Sequence, residues 1–332
     1  MDAYKVLAID GGGIRGVIPA RVLQAIEERC GKPIASCFDA IAGTSTGGII
    51  ALGLSCPGDG DGYRPRYSAA DMLGFYLDNG STIFPHSIIA RMRRGAGAAE
   101  GRFSAAPLEQ LLRQRFGDAM LSQALTEIVI PSYDLSEPGP FFFKREYAQS
   151  TEASWDVPIW QVARATSAAP TYFDPAELQA NGDGSTQALV DGGTFANNPA
   201  TSVYADALRW AEGRPIMLVS VGTGQPPQSP GSGPIPIAAD HARRMGLVEW
   251  VQPILEVVLD GVAKAVEYQM AQIDACTGAE LVYHRLQSSL PTASHAMDDA
   301  SGGNLTKLQA DAETLIVAES AQLDAICAAL TG

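Results

Sequence analysis

One serine lies in a motif that often presents a catalytic nucleophile. The motif is Gly43, Thr44, Ser45, Thr46 and Gly47, and it fits the pattern G-x-S-x-G. The apolar run 40–42 before it predicts a strand, and the small residues 47–54 predict a helix. Between a strand and a helix, the glycines allow a sharp turn that exposes the serine hydroxyl. We therefore expect Ser45 to be a nucleophile; the alternative is a glycine-rich turn with a structural serine.

A second glycine-rich turn follows the first predicted strand, residues 6–9. It consists of Gly11, Gly12, Gly13, Ile14, Arg15 and Gly16. It fits the dinucleotide pattern G-x-G-x-x-G, but no acidic residue ends the second strand to hold a ribose, and Asp10 would repel a pyrophosphate. Glycines also let backbone N–H groups point at a developing negative charge. We favour an oxyanion hole over dinucleotide binding and over a turn without chemistry.

A serine nucleophile needs a base, and the histidines are poor candidates. They are His86, His241, His284 and His295, and none lies in a glycine-rich turn after a buried strand. Asp191 does, because it follows the apolar run 188–190 and precedes Gly192 and Gly193. Active sites of open parallel sheets collect at the carboxyl ends of strands, so Asp191 is a candidate base for Ser45. An ordinary Asp-Gly turn explains the spacing equally well.

Alternating strands and helices must position these residues. The chain opens strand, helix, strand, helix, which is typical of a parallel sheet. Further strands are predicted at 127–130, 141–143, 188–190 and 216–221, and helices at 69–77, 106–116, 159–169 and 198–212. Beyond residues 225–237, rich in Pro, Gly and Ser, helices are predicted at 245–275 and 305–330, with a strand-like run at 281–286. We expect an α/β catalytic domain over residues 4–225 and a mainly helical extension over 226–332.

Composition and charge narrow the class of function. The chain has 332 residues and a net charge of −14, which excludes a general nucleic-acid binder and argues against docking on anionic lipid through net charge. The five cysteines are odd in number and include no C-x-x-C pair, which favours reduced thiols.

The sequence has no signal-peptide pattern and no suitable membrane span, so we expect a soluble, cytoplasmic protein. Residues 84–94 combine apolar side chains with arginines, which predicts peripheral membrane association or, alternatively, a core helix with a solvated basic end.

The three motifs, in this order and in these strand contexts, resemble the signature blocks of the patatin-like phospholipases. Residues 165–173, 197–199 and 127–135 are also similar to that family. The resemblance covers residues 4–225, with a fainter similarity at 297–308. It implies a three-layer α/β/α fold with a mainly parallel central sheet, extended here by the helical C-terminal part.

The resemblance also implies a hydrolase of lipid acyl esters in which Ser45 is the nucleophile and Asp191 the base. The backbone of residues 11–16 would form the oxyanion hole, with Arg15 stabilising that loop, and no metal or other cofactor is implied. The implied substrate is a phospholipid or lysophospholipid at a membrane surface. Some bacterial members resemble antiviral defence effectors switched on by a cyclic nucleotide, so such an activator is a further expectation.

Two functions of other classes stay open. One is a nucleotide- or dinucleotide-binding protein that uses residues 11–16, with Ser45 as a structural residue. The other is a catalytically silent lipid-binding scaffold, against which the presence of both Ser45 and Asp191 counts.

Overall fold

The computed structural model describes residues 2–60, 64–85, 103–150, 155–179, 186–225, 243 and 246–332, with residues 247–253 as helical backbone only. Its strands are β1 (Tyr4–Ile9), β2 (Ala40–Gly43), β3 (Glu127–Asp134), β4 (Gly139–Lys144), β5 (Ala176–Gln179), β6 (Thr186–Asp191), β7 (Ile216–Val221) and β8 (Leu281–Leu286). Its helices are α1 (Val17–Cys30), α2 (Thr46–Ser55), α3 (Ala69–Ile83), α4 (Ala106–Phe116), α5 (Arg145–Ala148), α6 (Ile159–Thr166), α7 (Gly193–Ala196), α8 (Ala200–Trp210), α9 (Leu247–Thr277), α10 (Gly302–Ala318) and α11 (Ser320–Thr331).

The eight strands form one mixed sheet. Strands β3, β2, β1, β7 and β8 are parallel neighbours in that order. The pairings of β3 with β4, of β3 with β6 and of β5 with β6 are antiparallel. The central parallel strands are buried on both faces, which explains why they read as continuous apolar runs in the sequence.

Helices cover both faces of the sheet, so the predicted three-layer α/β class is confirmed. Alternate residues of β1 enter two separate cores because successive side chains of a strand point to opposite faces. Leu7 and Ile9 pack in the core that holds α1 to α4 and α6. Val6 and Ala8 pack in the second core, with α8 and with the buried side of α9.

The C-terminal third continues the same architecture. β8 pairs in parallel with β7, from Ile216 opposite Leu281 to Val221 opposite Leu286, so the strand-like run at 281–286 extends the central sheet. The stretch predicted to be mainly helical over 305–330 consists of two helices, α10 and α11, which meet at 76°. The bend lets both helices pack against α1.

Among the described residues, no single helix has the length and hydropathy needed to cross a membrane. Only α10 and α11 taken together, with the 76° bend between them, pass that test.

Candidate active site

Ser45 lies on a strained turn directly after β2. Its backbone has a φ of 55° and a ψ of −121°, and it precedes the first residue of the buried helix α2. A positive φ is unusual for a residue other than glycine, and it persists only where the surrounding structure holds the turn in place. An added Cβ on Gly47 would lie 2.3 Å from the Ile9 carbonyl oxygen, and one on Gly43 would lie 2.1 Å from that of Gly47. Both glycines of the motif are therefore required by close backbone packing.

Three threonines hold the turn in place. The Ser45 N–H donates to Thr166 Oγ1 at 3.0 Å, and the Thr166 hydroxyl donates to the Pro131 carbonyl at 2.7 Å. Thr44 Oγ1 donates to the Ala196 carbonyl at 2.6 Å. Thr46 Oγ1 donates to the phenol oxygen of Tyr76, at the same distance of 2.6 Å. Neither Thr166 nor Tyr76 was predicted to have this role, because each contact joins residues far apart in the sequence.

Asp191 reaches the turn from the other side of β3. β3 pairs with β2 up to Val129 and then continues to Asp134, and this overhang pairs with β6. Because β6 is antiparallel, its last residue, Asp191, lies opposite Ser132, near the level at which β2 ends. We expected Asp191 to end a parallel strand. β6 is antiparallel instead, but Asp191 still lies at the edge of the sheet where the parallel strands end.

Asp191 is buried and its carboxylate accepts a hydrogen bond. It is 4% exposed and accepts from the Gly193 N–H at 2.7 Å. Burial raises the pKa of Asp191 to about 7, and the Ser45 hydroxyl and the Gly193 N–H oppose part of that rise. A carboxylate with such a pKa is a much stronger base than an exposed aspartate.

The glycine turn at residues 11–16 belongs to the same site, and two of its N–H groups have no hydrogen-bond acceptor among the described residues. The N–H of Gly11 donates to the Asn197 carbonyl at 3.0 Å, that of Ile14 to the Met297 carbonyl at 2.8 Å, and that of Arg15 to the Gly12 carbonyl at 3.2 Å. Within the described part of the chain, the N–H groups of Gly12 and Gly13 have no acceptor. Both glycines line the cavity that contains Ser45.

Packing from distant parts of the chain fixes this turn. Gly13 has a φ of +59°, and an added Cβ would lie 2.2 Å from the Met297 carbonyl oxygen. An added Cβ on Gly12 would lie 2.3 Å from Thr223 Oγ1, which itself donates to the Gly11 carbonyl at 2.8 Å. The Arg15 guanidinium donates to the Gly12 carbonyl at 3.4 Å and to that of Gly224 at 3.3 Å.

Ser45, Asp191, Gly12 and Gly13 meet in one cavity. The rest of its wall is mainly apolar and includes Ile49, Ile83, Phe84, Leu108, Tyr172, Phe173, Leu255, Leu259 and Met297. Leu255 and Leu259 belong to α9, so the C-terminal third supplies part of the wall. The cavity therefore combines a short polar strip with a mainly apolar wall.

No described histidine lines this cavity. His284 lies on β8 with its Nδ1 3.4 Å from Gln322 Nε2, and His295 Nε2 lies 3.2 Å from the Leu290 carbonyl oxygen. His86 and His241 are outside the described residues. Among the residues described, no group of three or more His, Cys, Asp and Glu side chains is arranged to hold a metal ion.

The segment predicted to dock on membranes is only partly described. Of residues 84–94, the structure describes Phe84 and Pro85, and the three arginines lie outside the described residues. The Phe84 ring packs against Phe103 and Phe173, with ring centroids 5.5 Å and 6.0 Å apart. Phe84 is therefore part of the cavity wall rather than a free apolar anchor.

Comparison with known proteins identifies the family of the chain. The family model for patatin-like phospholipases matches residues 7–204. The chain belongs to the patatin-like phospholipase family. It is 30% identical to "probable inactive patatin-3-Kuras 1" of Solanum tuberosum, over 95% of this chain and 87% of that protein. It is 31% identical to "patatin-like protein 2" of Arabidopsis thaliana, over 95% of this chain and 83% of that protein.

The matched range of the patatin-like phospholipase model contains all three motifs, from the turn at residues 11–16 to Asp191. Membership supports a lipid acyl hydrolase activity. A solved structure, VipD from Legionella pneumophila, is distantly similar, with a TM-score of 0.35 and 10% identity over 95% of this chain and 67% of that one.

Proposed function

We propose that this chain hydrolyses acyl esters of phospholipids or lysophospholipids through a Ser45–Asp191 dyad. One observation carries the proposal. Ser45 and the buried carboxylate of Asp191 line one mainly apolar cavity, close enough for the hydroxyl to lower the pKa of the carboxyl, and Gly12 and Gly13, whose N–H groups have no acceptor among the described residues, line it too. Nucleophile, base and oxyanion donors are the three parts that ester hydrolysis requires.

In the first step, Ser45 Oγ attacks the ester carbonyl carbon while its proton moves to Asp191. The carbonyl oxygen becomes an oxyanion, which accepts hydrogen bonds from the N–H groups of Gly12 and Gly13. The positive end of the α2 dipole lies at Ser45 and further stabilises that charge. When the tetrahedral intermediate collapses, the bond to the leaving alcohol breaks and Asp191 gives the proton to it.

In the second step, water hydrolyses the acyl ester on Ser45. Asp191 takes a proton from the water as the water attacks the acyl carbon, and Gly12 and Gly13 hold the second oxyanion. Collapse releases the fatty acid, and Asp191 returns the proton to Ser45 Oγ. No metal or cofactor takes part in this sequence.

The lining of the cavity supports an acyl chain as the group that is bound. Leu108, Phe173, Leu255 and Leu259 offer apolar contacts and no charge, so a fatty acyl chain would leave water on entering. The head group would remain outside this apolar space.

The dyad predicts how turnover responds to mutation. Ser45→Ala and Asp191→Asn should each reduce fatty-acid release from phosphatidylcholine and lysophosphatidylcholine by at least 10³-fold, because the two residues act as one unit. The double variant should lose hardly more than either single one. Fatty acid released by purified protein is measured by mass spectrometry, and circular dichroism checks the fold. Activity retained by Asp191→Asn would exclude the dyad.

Two observations bear on the alternatives. A polar cavity beside Arg15 has four carboxylates and three cations in its wall, and Lys264 and Arg285 are held in ion pairs with Asp260, Asp10 and Glu267, which leaves little free positive charge for a dinucleotide pyrophosphate. Calorimetric binding of NAD or FAD would instead support the nucleotide-binding alternative. One relative carries "inactive" in its name, and a chain with no hydrolysis of any ester but intact lipid binding would be a scaffold.

A further inference from the structure

Asp10 is a buried carboxylate at the start of the glycine turn that forms the proposed oxyanion hole. It follows β1 directly, is 2% exposed and precedes Gly11. The Arg285 guanidinium of β8 donates to both carboxylate oxygens, at 2.9 Å to Oδ1 and 2.5 Å to Oδ2. Among the described residues, no other cation lies within ion-pair distance of Asp10. The turn therefore begins at a two-point contact with a strand of the C-terminal third.

Arg285 reaches Asp10 across an intervening strand. β7 lies between β8 and β1, and its residue Ser220 pairs with Arg285 on one side and with Ala8 on the other. Ser220 is fully buried, and its hydroxyl oxygen accepts a hydrogen bond from Arg285 at 2.7 Å. The Asp10 N–H extends the pairing of β1 with β7, because it donates to the Val221 carbonyl at 3.0 Å. Backbone and side chain of Asp10 are thus both held from the same side of β1.

The ion pair is not needed to seat β8 on the sheet. β7 and β8 are already paired in parallel along the full length of both strands. Loss of solvation offsets much of the attraction between two buried charges, so such a pair adds little net stability. Glu267 of α9 also approaches the Arg285 Nε, at 3.4 Å, but it is 38% exposed. What the contact with Arg285 does fix is the carboxylate at the first position of the glycine turn.

Without its partner, the Asp10 carboxylate would interfere with the oxyanion donors. An aspartate side chain commonly accepts from the backbone N–H two residues further on. For Asp10 that group is the Gly12 N–H, which has no acceptor among the described residues and is one of the two proposed oxyanion donors. An unpaired carboxylate buried at this point would also repel the negative charge that develops on the substrate oxygen.

We propose that Arg285 is a positioning residue that keeps the oxyanion hole open. It holds the Asp10 carboxylate by two hydrogen bonds, so that the Gly12 N–H stays available to the substrate oxygen, and it cancels the charge of that carboxylate. Arg285 does not line the substrate cavity and therefore acts through Asp10. This inference rests on the proposed function, which places Gly12 in the oxyanion hole.

A rescue experiment separates this role from a structural one. Arg285→Gln frees the Asp10 carboxylate, and Arg285→Gln/Asp10→Ala then removes that carboxylate as well. Lys144→Gln is the matched control, because it breaks an ion pair of 2.7 Å with Asp206 whose side chains, 11% and 15% exposed, do not line the substrate cavity. Hydrolysis of soluble p-nitrophenyl butyrate gives kcat and KM. Circular dichroism and urea unfolding check the fold of each variant.

Arg285→Gln should lower kcat by roughly 10²-fold, the loss expected when one oxyanion donor is blocked. KM should stay within about threefold of its wild-type value, because the oxyanion forms only in the transition state. The double variant should regain about tenfold in kcat, since the competing carboxylate is gone. Lys144→Gln should keep the wild-type kcat. Arg285→Lys keeps the charge but not the two-point contact, so its kcat should lie between those of Arg285→Gln and wild type.

A kcat for Arg285→Gln equal to that of the control, or a double variant as slow as Arg285→Gln, would overturn the proposal. A raised KM with unchanged kcat would do the same. If Arg285→Gln does not fold, Arg285→Lys decides: a lower kcat at constant KM supports the proposal, and a wild-type kcat overturns it. A wild-type chain that hydrolyses no ester would instead overturn the proposed function, and this inference with it.

Discussion

At the scale of the residue, the chemistry depends on the burial of Asp191. An exposed aspartate has a pKa of about 4 and is a weak base for a serine hydroxyl. Burial raises the pKa of Asp191 to about 7, close to that of a catalytic histidine. In the proposed dyad, this one carboxylate takes the role of the histidine of a catalytic triad, and no described histidine lies at the site.

The raised pKa predicts the pH dependence of activity. Asp191 accepts the Ser45 proton only when it is ionised, so kcat/KM should rise about tenfold per pH unit below pH 7 and level off above it. A soluble p-nitrophenyl ester assayed from pH 5 to pH 9 separates this effect from any change in lipid binding. A rate that is already constant at pH 5 would contradict a buried base.

The same shift predicts that Asp191 lowers stability at neutral pH. Its pKa is about 7 in the folded chain and 3.8 when unperturbed, so between these values the unfolded chain binds fewer protons than the folded one. Stability therefore falls as pH rises through that range. Asp191→Asn does not titrate and should unfold with a free energy on the order of 4 kcal/mol higher at pH 8. Urea unfolding at pH 4 and pH 8 measures the difference, which should vanish at pH 4.

At the scale of the element, the nucleophile turn depends on the end of α6. Thr166 is fully buried and links the Ser45 N–H to the Pro131 carbonyl of β3. Thr166 therefore links the turn after β2, which contains Ser45, to β3, the strand that pairs with the end of β6 at Asp191. A helix far along the chain thus sets the geometry of a turn that the sequence identifies locally.

Replacing Thr166 should damage both stability and turnover. Thr166→Val keeps the shape but leaves two buried backbone groups unpaired, which costs about 1–3 kcal/mol of unfolding free energy. A displaced Ser45 should also reduce kcat at least tenfold. Thr166→Ser keeps the hydroxyl and is the matched control, expected to lose less than about 1 kcal/mol and little activity. Equal kcat for Val and Ser at position 166 would show that this link does not position Ser45.

The elements also show what sequence patterns can and cannot predict. Strands β1, β2 and β7 and helices α1, α2 and α4 were predicted closely, because buried parallel strands and amphipathic helices leave strong local patterns. The direction of β6 was not predicted, because it depends on pairing with the end of β3, which is distant in the sequence. The break between α10 and α11 was also missed, because no proline or glycine marks it at Glu319.

At the scale of the whole molecule, the C-terminal third completes the site. The Met297 carbonyl accepts a hydrogen bond from the Ile14 N–H of the glycine turn. Leu255 and Leu259 form part of the cavity wall. The sequence suggests Ser45, Asp191 and the glycine turn as candidates but could not predict these contacts, because they join residues that are far apart along the chain. The helical extension predicted over 226–332 is thus built into both the sheet and the cavity.

Covalent labelling of Ser45 tests the central claim most directly. A fluorophosphonate reacts only with an activated serine, and digestion followed by mass spectrometry identifies the modified residue. We predict a single adduct on Ser45 at pH 8, at least 10²-fold slower at the same pH in Asp191→Asn. An unlabelled wild-type chain, an adduct on another serine, or an equal rate in Asp191→Asn would contradict a Ser45–Asp191 dyad.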